Sequence, residues 1–170
     1  DLSANRIELF ATSNIFEGLV SLVELNLSTK QIKALQPEVW LQLTNINSLD
    51  LSYNLLKSVP DNSFLGLKRL KTLRLDHNMI SKKLTGNALK DLRSLENLFL
   101  SDNFIPSIDE KLLMESPRLA ELYLQNNSIK VLPSKIFSKN QRIQKIYLGF
   151  NSIKIVPLEV FTSTFSWIKW

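Results

Sequence analysis

The stretch ELYLQNNSI, residues 121–129, decides the fold of this chain. Leu122 and Leu124 flank Tyr123, and Asn127 and Ile129 follow at fixed steps. In an extended segment, residues two apart share a face and the residue between them points the other way. The two leucines therefore predict an inward pair and Tyr123 an outward side chain. The same frame recurs as LNLSTKQI (25–32), LDLSYNLL (49–56), LRLDHNMI (73–80), LFLSDNFI (98–105) and IYLGFNSI (146–153), with DLSANRI at the start as the tail of one more copy. Successive frames begin 24, 24, 25, 24 and 24 residues apart. That regularity marks a repeat architecture, in which each repeat is one coil and stacked coils line their strands into a parallel sheet.

The asparagine recurs at Asn5, Asn54, Asn78, Asn103, Asn127 and Asn151. Its amide donates and accepts, so a buried column of these side chains predicts satisfied backbone groups at each tight turn. A second column, Phe16, Trp40, Phe64, Leu89, Leu113, Phe137 and Phe161, predicts a spine on the convex side. Three residues later, Leu19, Leu43, Leu67 and Leu92 give way to Ser116, Asn140 and Thr164, so this column degrades toward the C-terminus. Leu22, Leu70, Leu95 and Leu119 complete the core before the next strand. Val59-Pro60, Leu132-Pro133 and Val156-Pro157 predict extended or turn backbone, with short helical turns such as one beginning near Asp61-Asn62-Ser63.

On these motifs the whole chain resembles the leucine-rich repeat family, and its phenylalanine spine the "typical" 24-residue extracellular class. The resemblance implies Toll-receptor ectodomains, small proteoglycans and secreted immune proteins as relatives. RIQKIYLGFNSIKIVPLEVF (142–161) is similar to repeats of insect, notably mosquito, secreted immune proteins, though their coiled-coil and cysteine-bearing segments are absent. The expected fold is an α/β solenoid of about seven coils, with a parallel sheet on its concave face and short helical turns or extended segments on its convex face. Residues 1–170 read as one domain, a fragment of a longer array without polar caps, with Trp167 and Trp170 as alternative plugs of the last coil. Open ends of this kind also permit end-to-end pairing into an oligomer.

Departures from the frame carry their own expectations. Lys30 stands where the turn asparagine belongs and cannot accept a hydrogen bond, so that rung is expected to be rearranged or wet. One extra residue falls within ISKKLTGNAL (80–89), which predicts an exposed loop. Lys82, Lys83, Lys90 and Arg93, with Lys68 and Arg69 nearby, form a candidate basic edge set against the plainer reading of a solvated surface.

The outward column of the sheet reads Asn26, Asp50, Arg74, Phe99, Tyr123 and Tyr147. Phe99, Tyr123 and Tyr147, with Phe150 at one side, are a candidate apolar anchor, of residue types that dominate binding hot spots. Packing of the rings on one another is the structural alternative. Asp50, Arg74, Asp76, His77 and Tyr53 form a polar neighbour, in which Asp50 and Arg74 are expected to pair. The sequons Asn26-Leu27-Ser28 and Asn126-Asn127-Ser128 make Asn26 and Asn126 candidate N-glycosylation sites.

Composition narrows the chemistry. The chain has no cysteine, which removes disulfides and thiolate metal sites, and its four glycines form no phosphate-binding loop. Its one histidine, His77, on an open sheet supplies neither a triad nor a metal site, so no enzyme, metal or cofactor is expected. A net charge of +5 without a dense basic block does not point to nucleic acid. No apolar run has membrane-spanning length. The expected function is a non-enzymatic, extracellular protein-binding scaffold, which the family resemblance places in innate-immune recognition or complex assembly, an insect complement-like complex being one version. The alternatives are a matrix protein holding a polyanion at the basic edge, and a direct binder of a microbial glycan or lipid.

Overall fold

The computed structural model describes residues 14–162. Its strands are three residues each: β1 (Glu24–Asn26), β2 (Ser48–Asp50), β3 (Thr72–Arg74), β4 (Asn97–Phe99), β5 (Glu121–Tyr123) and β6 (Lys145–Tyr147). They form one parallel sheet in chain order. Each leucine-x-leucine frame places its first leucine at the centre of a strand, so Leu25, Leu49, Leu73, Leu98, Leu122 and Ile146 pair in register. Leu27, Leu51, Leu75, Leu100 and Leu124 are buried beside them. Among the described residues the sheet thus has six strands and about five full turns of solenoid, fewer than the seven coils expected. The copy at DLSANRI, with Asn5, lies outside the described residues, as do Thr164, Trp167 and Trp170.

The asparagine ladder works as the repeat demands. Asn78 Oδ1 accepts from the Leu56 amide at 3.0 Å, while its Nδ2 donates to the carbonyls of Leu51, Leu75 and Asp76. Asn54, Asn103, Asn127 and Asn151 repeat this scheme, each joining its own turn to the coil before. These bonds hold a residue of left-handed φ just before each asparagine: Tyr53, His77, Asp102, Asn126 and Phe150, all between 53° and 55°. Such a conformation is costly for residues with a Cβ, and the ladder offsets it.

Lys30 breaks the pattern in both backbone and side chain. Its turn contains two left-handed residues, Thr29 and Gln31. The backbone amide still donates to Asn54 Oδ1 at 3.0 Å, but Nζ is fully buried without a hydrogen-bond partner. Burial holds the Lys30 amine below the ordinary lysine range. The rung is therefore rearranged, as expected, and its amine is buried without a protein partner.

On the convex side the spine is packed as predicted, with Trp40, Phe64, Leu89, Leu113 and Phe137 buried and ring stacks joining Phe16 to Trp40 and Phe137 to Phe161. The degrading column proves to be a change of chemistry. Ser116 and Asn140 are fully buried, Ser116 Oγ donating to the Leu92 carbonyl and Asn140 Nδ2 to those of Leu113 and Ser116. Convex segments are mainly turns, with a 3-10 stretch at Pro37–Trp40 and one short helix, α1 (Glu159–Thr162). The helical turn expected near Asp61 is a plain turn, because Asn62 takes a left-handed φ of 60°. The insertion is exposed at Lys82 and Lys83, then locks at Leu84, which bridges Ile108 in parallel.

Candidate binding face on the concave sheet

Register alone stacks the outward column, since Asp50, Arg74, Phe99, Tyr123 and Tyr147 are direct partners across β2 to β6. The rings of Phe99 and Tyr123 lie 4.5 Å apart at 11°, and those of Tyr123 and Tyr147 4.6 Å apart at 11°. The Arg74 guanidinium sits 4.6 Å over the other face of Phe99. Arg74 is held in turn by Asp76 Oδ2 at 3.0 Å and Asp50 Oδ2 at 3.8 Å, so the expected Asp50–Arg74 pair forms. The column is one continuous stack with a cation at its head. Tyr123 is displayed by its edge, because both of its faces are covered.

The Tyr123 hydroxyl is also committed. It donates to Glu121 Oε2 at 2.6 Å, and Lys145 Nζ donates to Glu121 Oε1 at 2.6 Å. The bond to Glu121, with burial added, pushes the Tyr123 phenol up to about 12. The same partners, Lys145 first and then Tyr123, hold the Glu121 carboxyl below its ordinary range. Glu121 and Lys145 escaped the reading of the sequence. Their signal is an acid and a base exactly one repeat apart beside the tyrosine column, at residues 121 and 145.

The left-handed residues form a second stack along the rim where each coil leaves the sheet. Tyr53 lies on His77 with centroids 4.2 Å apart, and His77 Nε2 is 3.6 Å from Asp102 Oδ2. Asn126 Nδ2 donates to Asp102 Oδ1 at 2.7 Å, and Phe150 ends the row 85 % exposed. Among the described residues no serine hydroxyl bonds His77, so the elements of a hydrolase triad do not come together. Asp76 is buried with Oδ1 unpartnered, between the two stacks in sequence. Of the sequons, Asn126 is exposed and Asn26 half-buried, with its Oδ1 accepting from Ser28.

At the candidate basic edge Lys82, Lys83, Lys90 and Arg93 are all exposed, and two of them have acidic partners. Lys83 is bonded to Asp109 at 2.9 Å and lowers that carboxyl, and Arg93 lies 4.0 Å from Asp91. Lys82 and Lys83 precede the Leu84 bridge, whereas Lys90 and Arg93 follow it across a turn.

The leucine-rich repeat family model matches residues 20–80, 44–105, 81–129 and 117–164. The chain is a leucine-rich repeat protein. Among solved structures, this leucine-rich repeat chain is similar to TLR13 in its complex with ssRNA13, at 35% identity and a TM-score of 0.82, over 88% of this chain and 21% of that one. It is similar to the Drosophila Toll–Spatzle complex, in its glycosylated form, at 25% identity and a TM-score of 0.83, over 89% and 20%. A leucine-rich repeat protein of Leptospira interrogans matches at 32% identity and a TM-score of 0.73, over 84% and 35%. No curated protein matches it. The chain spans about a fifth of the two Toll-type structures, 21% and 20%. The expectation against nucleic acid finds no support here, because one of these structures is a complex with ssRNA13.

Proposed function

We propose that the concave sheet of this leucine-rich repeat scaffold binds a protein ligand outside the cell, in innate-immune recognition or complex assembly, without catalysis. The observation that carries this reading is the uninterrupted column from Arg74 through Phe99 and Tyr123 to Tyr147. Each member is fixed by its neighbours before any partner arrives, so little side-chain freedom remains to be lost on association. The ring edges offer apolar contact, while Asp50, Arg74, Asp76, His77 and Tyr53 supply polar selection. Likeness to Toll in the Toll–Spatzle complex supports a protein partner and an extracellular or lumenal setting. No helix among the described residues is long and apolar enough to cross a membrane. The matched share of the receptor chains supports residues 1–170 as one segment of a longer array.

Stacking of a glycan on Phe99 or Tyr123 is disfavoured, because neither has a free ring face. A single-stranded RNA is the second reading, favoured by the likeness to TLR13 in its ssRNA13 complex and by the exposed rings of Tyr147 and Phe150. The test uses two immobilised baits, the wild type and Phe99→Ala/Tyr123→Ala/Tyr147→Ala, in extracellular fluid of the source, after circular dichroism has verified folding. The expected result is a protein captured by the wild type and lost from the folded variant. Equal capture by both baits abandons the concave site, and loss of a nuclease-sensitive ligand instead selects RNA.

A further inference from the structure

The opposite rim, where each coil re-enters the sheet, carries a separate pattern. Four and five residues before the first leucine of each frame, six coils provide Lys68, Arg69, Arg93, Arg118 and Arg142, and no acidic residue. All five cations are exposed. With 21 basic and 16 acidic residues in the chain, a merely solvated strip would be expected to mix signs. Arg69 bonds only the neutral Asn45, and Arg93 lies 4.0 Å from Asp91. Lys68, Arg118 and Arg142 have no ion-pair partner among the described residues.

At the C-terminal end of this strip an open groove of about 820 Å³ is lined by Arg118, Gln141, Arg142, Gln144 and Lys145, with Glu96 and the small Ala120. Glu96 is neutralised by Lys71 at 3.6 Å, and Lys145 by Glu121. The free charges of the groove are therefore the two guanidiniums. They occupy the same place in adjacent coils, whose strands lie about 4.8 Å apart.

We propose that this rim is a binding strip for a sulfated polysaccharide, with Arg118 and Arg142 as its principal anchors. Guanidinium forks suit oxyanions, and a straight row of them suits a linear polymer of repeating negative charge. The amides of Gln141 and Gln144 provide donors and acceptors for sugar hydroxyls in the same groove. Single-stranded nucleic acid fits less well, because its binding sites pair a basic track with stacking rings and neither column holds an aromatic residue. This inference is independent of the concave aromatic column, because its anchors Arg118 and Arg142 lie outside that column.

The test titrates the 170-residue chain with heparin, fully desulfated heparin and a single-stranded RNA, over a series of salt concentrations. Arg118→Gln/Arg142→Gln is compared with Lys130→Gln/Lys154→Gln, which removes the same charge from the groove lined by Lys130, Val131 and Lys154. Thermal unfolding establishes that both variants are folded. Heparin binding is expected, weakened about tenfold or more by the arginine variant and less than about twofold by the lysine variant, with the salt slope of log K reduced by about two. Absence of heparin binding, equal loss in both variants, retention by desulfated heparin, or tighter binding of RNA through the same arginines would each overturn the proposal.

Discussion

Tyr123 shows how one side chain takes two identities from its neighbours. Its ring is a slab in a stack, and its hydroxyl is the donor to a carboxylate that also holds Lys145. A phenol at about 12, against 10.0 when free, means that the folded chain binds this proton more tightly than the unfolded chain. The associated stability is complete below pH 10 and is lost as pH rises toward 12. An ultraviolet absorbance titration should show one of the three tyrosines ionising near 12, and Tyr123→Phe should remove that step. If the step survives the substitution, it does not belong to Tyr123. The outward direction of Tyr123 was legible from leucine-x-leucine alternation. The covering of its faces was not, because that depends on register between coils and on ring rotamers that no single repeat encodes.

At the scale of the element, the turn ladder was the most legible feature and its exception the least. Asparagine at one step of each frame dictates the same donors and acceptors five times over. Lys30 announced a defect, but the sequence did not indicate that the backbone would add a second left-handed residue or bury the amine. Two substitutions should therefore move stability in opposite directions under chemical denaturation. Asn103→Ala strands the Ile80 amide and the Leu75, Leu100 and Ser101 carbonyls, and should cost roughly 2–4 kcal/mol. Lys30→Asn removes a buried amine that has no protein partner and restores a ladder side chain, and should gain about 1 kcal/mol. A neutral Asn103→Ala would show that water replaces the amide without loss. The polar column was similarly opaque: Ser116 and Asn140 look like erosion of a leucine row until the carbonyls they serve are in view.

Across the whole molecule, each coil touches only its neighbours, so protection should follow local burial rather than a single core. The central residue of β3 is buried between half-buried flanks, whereas β6 has exposed flanks and a half-buried centre. Amide hydrogen exchange of the 170-residue chain should accordingly be faster in β6 than in β3. Uniform protection would mean that the array opens only as a unit. The repeat period made this linear architecture readable, but charge alignment between coils emerges only when residues 24 or 25 apart are set side by side. That is why the basic edge read around the insertion took in Lys68, Arg69 and Arg93 but missed Arg118 and Arg142, which continue the same rim.

The stacked column has an optical consequence. Two phenol rings 4.6 Å apart and tilted by 11° have coupled electronic transitions, and the phenylalanine beside them extends the chromophore. The sheet thus carries its own exciton gauge of strand twist. A molecule that settles on the concave face and flattens or tightens the solenoid will change the near-ultraviolet circular dichroism couplet, reporting occupancy without a label.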